Sequence, residues 1–392
     1  MKKLKLVPLA LATMTLSGLA TAQDGSSVQM YGQVTAAVTT LNHQGAGNGG
    51  SLTYVGNNEF AYSILGFRGN EDVGDGIKAL FRLETGINSN NGTISTPQST
   101  APQKLFNRQS YLGLNFGDAG EITLGRQFSA AVDRAIRTMD IYNLAGVSAK
   151  NTPTALFGVN KFASAAANGT AATATPAFDN RVDDSIKYRL NVPSAGLQLG
   201  ASFGFNDGAG RNYTFDIGQG NKDYQLGLMW EKYEAPFTFV TGRPVQDTYM
   251  LGGNFALGPT RIYISYLDNK ADTAIAAQAG SPQQENKLWH LGARWTVMPS
   301  LDLTAALYSD KGTAINNVAG RNGTKTTWMA SADYYFSKRT SVNLAAFSNQ
   351  LRDGYRLDPI NGSLLAGHAT SPAAPTTGDA LLGLTVGIIH RF

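Results

Sequence analysis

The chain of 392 residues contains no cysteine. That excludes a disulfide framework and any thiolate site, and it is compatible with an oxidising compartment. Long apolar runs are also missing. Beyond the first twenty-two residues no stretch of eighteen apolar residues occurs, so no membrane-spanning helix is expected. Histidine is scarce, with only His43, His290, His368 and His390. Their spacing suits neither a triad nor a metal site, and no Gly-x-Ser-x-Gly elbow accompanies them. Hydrolytic catalysis needs a nucleophile with a placed base, so an enzyme is not expected, and neither metal nor cofactor is. A charge excess is absent too. The formal charge of +4 includes Lys2, Lys3 and Lys5, and without them 29 Lys plus Arg face 28 Asp plus Glu. Nothing in that balance points to nucleic acid.

Those three lysines open a segment with the layout of an export signal. An apolar run from Leu6 to Leu19 follows, and Ala20-Thr21-Ala22 places small residues at a cleavage site. Residues 1–22 are therefore expected to be removed, leaving 23–392 as one domain. Its 44 Gly and its 34 Tyr plus Phe suit strands and tight turns.

Alternation with a period of two recurs along the chain. Trp289, Leu291, Ala293, Trp295 and Val297 share one face, and His290, Gly292, Arg294 and Thr296 the other. Two Trp six residues apart lie about 20 Å apart at strand rise, close to the height of the apolar band of an outer-membrane barrel. Segments 197–205, 301–308, 327–336 and 77–84 alternate likewise. So does the last one, where Leu382, Leu384, Val386, Ile388, His390 and Phe392 oppose Gly383, Thr385, Gly387, Ile389 and Arg391. A chain ending on a strand leaves an open edge unless that strand pairs with the first, about Val28 to Thr40, and closes a barrel.

The connections differ by turns in length. Short ones are expected at 73–76, 117–120, 193–196, 234–236, 258–259, 298–300 and 337–339, all rich in Gly, Pro, Ser or Asp. Long polar ones are expected near 42–58, 86–104, 129–180, 207–222, 242–247, 268–286, 310–325 and 350–380. Seven turns and eight loops join sixteen strands. An all-β, antiparallel transmembrane barrel is the reading, because in hydrocarbon only helices and closed barrels satisfy their backbone.

Local stretches then carry a resemblance. They are Ser26–Gly32, Leu65–Asp72, Leu105–Leu114, Leu124–Gln127, Asp333–Thr340 and His390–Phe392. In this order the chain resembles the Gram-negative general porins of the β-proteobacterial, trimeric kind. The resemblance implies a water-filled channel for passive diffusion of small hydrophilic solutes and ions in the outer membrane. It also implies a homotrimer (small residues such as Ala36 and Ala37 fit this), contact with outer-membrane lipid and lipopolysaccharide, and a third outer loop, 129–180, folded into the lumen. Phe392 resembles the signal read by the barrel assembly machinery.

Selectivity in such a pore is electrostatic. Inward parity places Arg68, Lys78, Arg82 and Glu84 in the lumen. Arg108 and Arg181 match positions where relatives carry pore arginines. Arg126 is at the root of the inserted loop but shares parity with Ile122 and Leu124. The loop carries Asp133, Arg134, Arg137, Asp140, Lys150 and Lys161, and Asp133 and Asp140 are candidates for its acidic side. Many relatives have Arg where Ile64 and Ile389 stand here, which implies modest charge selectivity. A substrate-specific channel with a dedicated lumenal site is the alternative reading.

Overall fold

The structure, a computed structural model, describes residues 26–42, 50–94, 104–142, 159–160, 177–178, 181–205, 210–357 and 379–392. The expected leader, His43, His368, Lys150 and Lys161 lie outside the described residues. Sixteen antiparallel strands form one closed barrel. They are β1 (Ser27–Asn42), β2 (two pieces, Ser51–Gly56 and Ser63–Gly74), β3 (Ile77–Ile87), β4 (Gln109–Asn115), β5 (Glu121–Phe128) and β6 (Arg181–Val192). After them come β7 (Leu197–Gly204), β8 (Arg211–Gly220), β9 (Tyr224–Glu234), β10 (Val245–Leu257) and β11 (Thr260–Ala271). The last five are β12 (Gln284–Met298), β13 (Leu301–Thr313), β14 (Gly323–Tyr335), β15 (Thr340–Asp353) and β16 (Ala380–Arg391). Each pairs with its neighbours in sequence, and β16 returns to β1.

The closing seam runs from Gln33 opposite Arg391 to Asn42 opposite Leu382. The final residue joins it, because Gly32 and Phe392 exchange backbone hydrogen bonds of 3.2 and 3.1 Å. No strand edge is left at the terminus, so the pairing that hydrocarbon demands is met. Outside, Leu384, Val386 and Ile388 are exposed, while Thr385 and Ile389 at alternate positions are buried inside. Trp289 and Trp295 are likewise turned outward, and His290 inward.

The count of sixteen stands, but two placements change. The stretch 207–222, expected as a loop, contains β8. Tyr213, Phe215 and Ile217 alternate there with buried Asn212, Thr214 and Asp216. Two glycines and an aspartate in ten residues made a lumen-facing strand look like a polar connection. The expected turn at 234–236 begins instead a long connection, 235–244, and the short turn is 221–223. Phe237 and Phe239 alternate, yet they stack on each other at 5.1 Å and pack with Tyr233, Ala235 and Ala274 in a small cluster. Alternation cannot distinguish that cluster from a strand, because both need apolar residues two apart.

The inner face holds a second departure. Met229, Met250, Leu267 and Leu288 lie opposite one another in a single row across β9 to β12. All four are essentially inaccessible and belong to one apolar cluster with Val132, Ala135, Met139 and Ile141. Part of the lumen is therefore core, and each such side chain contributes about 1.5–3 kcal/mol on burial.

The seam depends on one close approach. A Cβ on Gly32 would stand 2.4 Å from the Ile64 carbonyl oxygen and 2.8 Å from the Phe392 ring. Gly32→Val should therefore hinder closure, at about 1–3 kcal/mol for the overpacking. The check is the fraction of refolded protein that migrates as the compact, heat-modifiable form on gels. A wild-type fraction for the valine variant would contradict this account of the seam.

Candidate functional site

The lumen is narrowed by the segment that follows β5. Ser129 caps a short helix, α1 (Ala130–Arg134), by accepting a 3.2 Å bond from the Val132 N–H. Its hydroxyl also donates to Glu231 on β9 at 2.6 Å. From α1 the chain continues through a wide turn, Ala135–Met139, that ends at Asp140.

Alternating charges bind α1 to the wall. Arg134 meets Asp216 of β8 at 2.8 Å, and Asp216 meets Arg189 of β6 at 2.9 Å. Arg189 lies 3.4 Å from Asp133, and Asp133 is 2.6 Å from Lys187. Three cations and two carboxylates thus form one chain of contacts, and Arg189 also donates to the Ala130 carbonyl at 2.6 Å. Burial alone would raise the Asp133 carboxyl, but Lys187, Arg189 and Arg137 outweigh it and hold it below its ordinary range.

Further along, the segment is tied to successive strands. Asn254 donates to the Thr138 carbonyl at 2.7 Å and Tyr308 to Asp140 at 2.9 Å. Arg294 donates to the Ile141 carbonyl at 3.2 Å, and Tyr142 to the Thr304 carbonyl at 3.0 Å. The candidates for an acidic face on the aqueous passage, Asp133 and Asp140, are both buried, with Asp133 bordering the space beneath α1. Their partners are Lys187, Arg189 and Tyr308.

On the other wall Glu84 is the centre. It is 1 % exposed and receives Arg108 at 2.6 Å, Arg82 at 2.7 Å and the Tyr31 hydroxyl at 2.8 Å. Arg68 lies over the Tyr31 ring at 5.0 Å and donates to Gln29 at 2.8 Å. Between the two pieces of β2 the chain leaves the sheet at 57–62. Phe60 from this break meets Tyr142 of the inserted segment edge-on at 5.2 Å, and Tyr62 lies 5.7 Å beneath Arg108. Arg181 sits over Phe128 at 4.4 Å.

Ile64 is opposite Gln33 and Gly86, on the side that carries Tyr31 and Glu84. Ile389 is opposite Thr35 and Ser341, also inward, and is 4 % exposed. Arg126 is the correction among the arginines. It pairs with Ser110, which pairs with Leu83, so it shares the outward side of Leu112 and Leu124. A bulge at Gly125 (φ 123°) offsets β5 from β6 there, and Arg126 is held by the Asn107 carbonyl at 2.6 Å and by Asp183 at 2.7 Å. Its place is the outer rim, away from the aqueous passage.

Local spacing marks Glu84 only as inward wall and does not single out Lys187, Arg189, Asp216 or Tyr308. Lys187 and Arg189 do alternate with Ile186 and Tyr188, so their direction was open to reading. Their partners were not, because an ion pair across 54 residues leaves no mark on local spacing.

A closed antiparallel barrel with an apolar belt, a charged lumen and one loop folded inside defines an outer-membrane channel of the diffusion type. The family model described as Gram-negative porin matches residues 9–353, and the chain belongs to that family. It is 34 % identical over 139 residues to outer membrane porin protein 32 of Delftia acidovorans, a match spanning 36 % of each chain, about a third of that relative's length. With major outer membrane protein P.IB of Neisseria meningitidis serogroup B it shares 26 % identity over 410 residues, covering both chains fully. The anion-selective porin from Comamonas acidovorans has the same fold, with a TM-score of 0.71 and 21 % identity over 94 % of this chain and all of that one.

Two outcomes follow for the inserted segment. Asp216→Ala leaves Arg134 and Arg189 buried without their shared acceptor, a loss of about 3–5 kcal/mol. Trypsin should then cut at Arg134 or Arg137 much faster than in the wild type, and equal rates would contradict the anchoring role. Acid should act on the same latch. A lowered carboxyl contributes fully above its unfolded value, about pH 4, and that contribution is lost as pH falls through the folded value. Single-channel current noise should stay flat from neutral pH to about 4 and rise below it.

Proposed function

We propose that this chain is a general diffusion channel for small hydrophilic solutes and ions, working as a homotrimer with modest charge selectivity. The observation that carries the selectivity is Glu84. One buried carboxylate binds both Arg82 and Arg108 at the passage, so two cations there leave a net excess of one. Apolar Ile64 and Ile389 on the neighbouring inner wall add no charge. Arg68 and Arg181 complete the cationic side, and Asp133 and Asp140 act as latches of the constriction loop 129–180. We read no catalytic role: His290 is stacked on Tyr308 at 4.6 Å, and His390 bonds Thr340 of the adjoining β15.

The outer surface supports a trimer contact on one side. Exposed Trp and Tyr occur on β6 to β14, as Tyr188, Tyr249, Trp289, Trp295, Trp328 and Tyr334. Among the described residues, β16 and β1 to β5 show aliphatic side chains there, with Phe67 and Phe392. Interfacial Trp and Tyr mark lipid contact, so the side without them is assigned to neighbouring subunits. Ala36 is on that outer face, whereas Ala37 turns inward and is buried. Outer-membrane lipid and lipopolysaccharide take the aromatic side. Residues 1–22 serve as the cleaved export signal, and Phe392, at the end of the closing strand, as the mark read by the barrel assembly machinery.

Planar-bilayer conductance in a salt gradient tests this reading. The expected reversal potential is small, and Ile64→Arg should move it toward anion preference. A strongly anion-selective wild type, or an Ile64→Arg variant with no shift, would overturn the account of selectivity.

A further inference from the structure

Beneath α1, toward the short-turn end of the barrel, the wall encloses a cavity of about 250 Å³. It reaches from the inserted segment down to the turn at 117–120. That is below the roughly 300–1,000 Å³ of sites for drug-sized ligands, so its occupant is small. Arg82, Arg134, Arg137, Lys187 and Arg189 line it, against the carboxylates of Asp133 and Glu121. Asp133 is already engaged by Lys187 and Arg189, and Asp216 and Glu84 stand behind Arg134, Arg189 and Arg82.

One cation faces the cavity without a direct partner, and a second stands behind it with an unmet donor. Arg137 is exposed to the cavity and, among the described residues, makes neither a hydrogen bond nor an ion pair. Arg134 is 4 % exposed, and its Nη2 has no acceptor although Nε and Nη1 are bound to Asp216 and Gln198. A buried guanidinium nitrogen without an acceptor is costly. An oxyanion would complement Arg137, which faces the cavity, while Arg134 behind it is packed against Gly218 and adds positive field without contact. Gln109, Gln127 and Asn191 supply neutral polar lining.

We propose that this cavity is an oxyanion subsite, which holds a small carboxylate- or phosphate-bearing solute on the short-turn side of the constriction. The proposal rests on the channel reading only for its place in transport. A solute bound there occupies the passage beside Arg82 of the Arg82–Glu84–Arg108 cluster, so small oxyanions are retained and neutral solutes of the same size are not.

Calorimetry on the detergent-solubilised full-length protein tests it, with succinate and inorganic phosphate as separate probes and glucose as the neutral comparison. Saturable binding of at least one oxyanion and none of glucose is expected, and the probe that binds decides between carboxylate and phosphate. Arg137→Gln should weaken binding roughly tenfold, as loss of one charge-assisted contact implies, while Arg137→Lys retains most of it. Since Arg137 acts on Asp133 only through space, and Lys187 and Arg189 hold Asp133 directly, the glutamine variant should keep the wild-type compact form on gels. No saturable binding of either oxyanion, or equal binding by Arg137→Gln, overturns the subsite. Potassium chloride conductance, measured alongside, separates the two ideas. Conductance without oxyanion binding removes the subsite and leaves the channel, whereas binding without conductance leaves the subsite and removes the channel.

Discussion

Everything in this protein depends on the need to pair each backbone N–H and C=O in a medium that offers no partner. Helices meet that need locally, but among the described residues no helix is long and apolar enough. The sheet meets it only by closing, and closure places Gly32 against Phe392 with no room for a side chain. Once the ring is shut, the pleat sorts every strand into an outward and an inward row. The outward row is apolar, and the inward row becomes available for charge.

The inward row is used in two ways. On β1 to β4 it carries water-facing cations balanced on Glu84, and on β9 to β12 it is apolar and packs as core. The inserted segment divides the two. Its acidic residues are consumed by the wall, because a carboxylate brought into a narrow, partly dry space is stable only beside cations. Asp133 between Lys187 and Arg189 satisfies that condition, and Asp140 takes the Tyr308 hydroxyl. The carboxylates of the segment are thus spent on the wall, while Arg137 of the same segment stays exposed.

Legibility follows from range. Alternation is local, so the faces of β12, β13, β14 and β16 could be read directly, as could most turns, which announce themselves in Gly, Pro and Asp. β8 was missed because a lumen-facing strand uses the same Asn, Thr, Asp and Gly that loops use. Residues 235–244 misled in the opposite sense, since Phe237 and Phe239 alternate within a compact loop. Arg126 shows a third limit. Its parity with Leu124 was visible, but only the offset at Gly125 and the grip of Asp183 put it at the outer rim.

By itself the sequence determined an all-β chain of sixteen strands, closed between its first and last segments, with a long loop after Gln127 and apolar residues at the inward positions 64 and 389. Those features are written in residue type at intervals of one or two positions. Only the tertiary structure decided which lumen charges are free and which are spent. Arg134, Asp216, Arg189, Asp133 and Lys187 come from three separate stretches, and they neutralise one another only after closure brings those stretches within 3.4 Å. The charge a solute meets is what such pairing leaves over, and pairing is a property of the closed barrel.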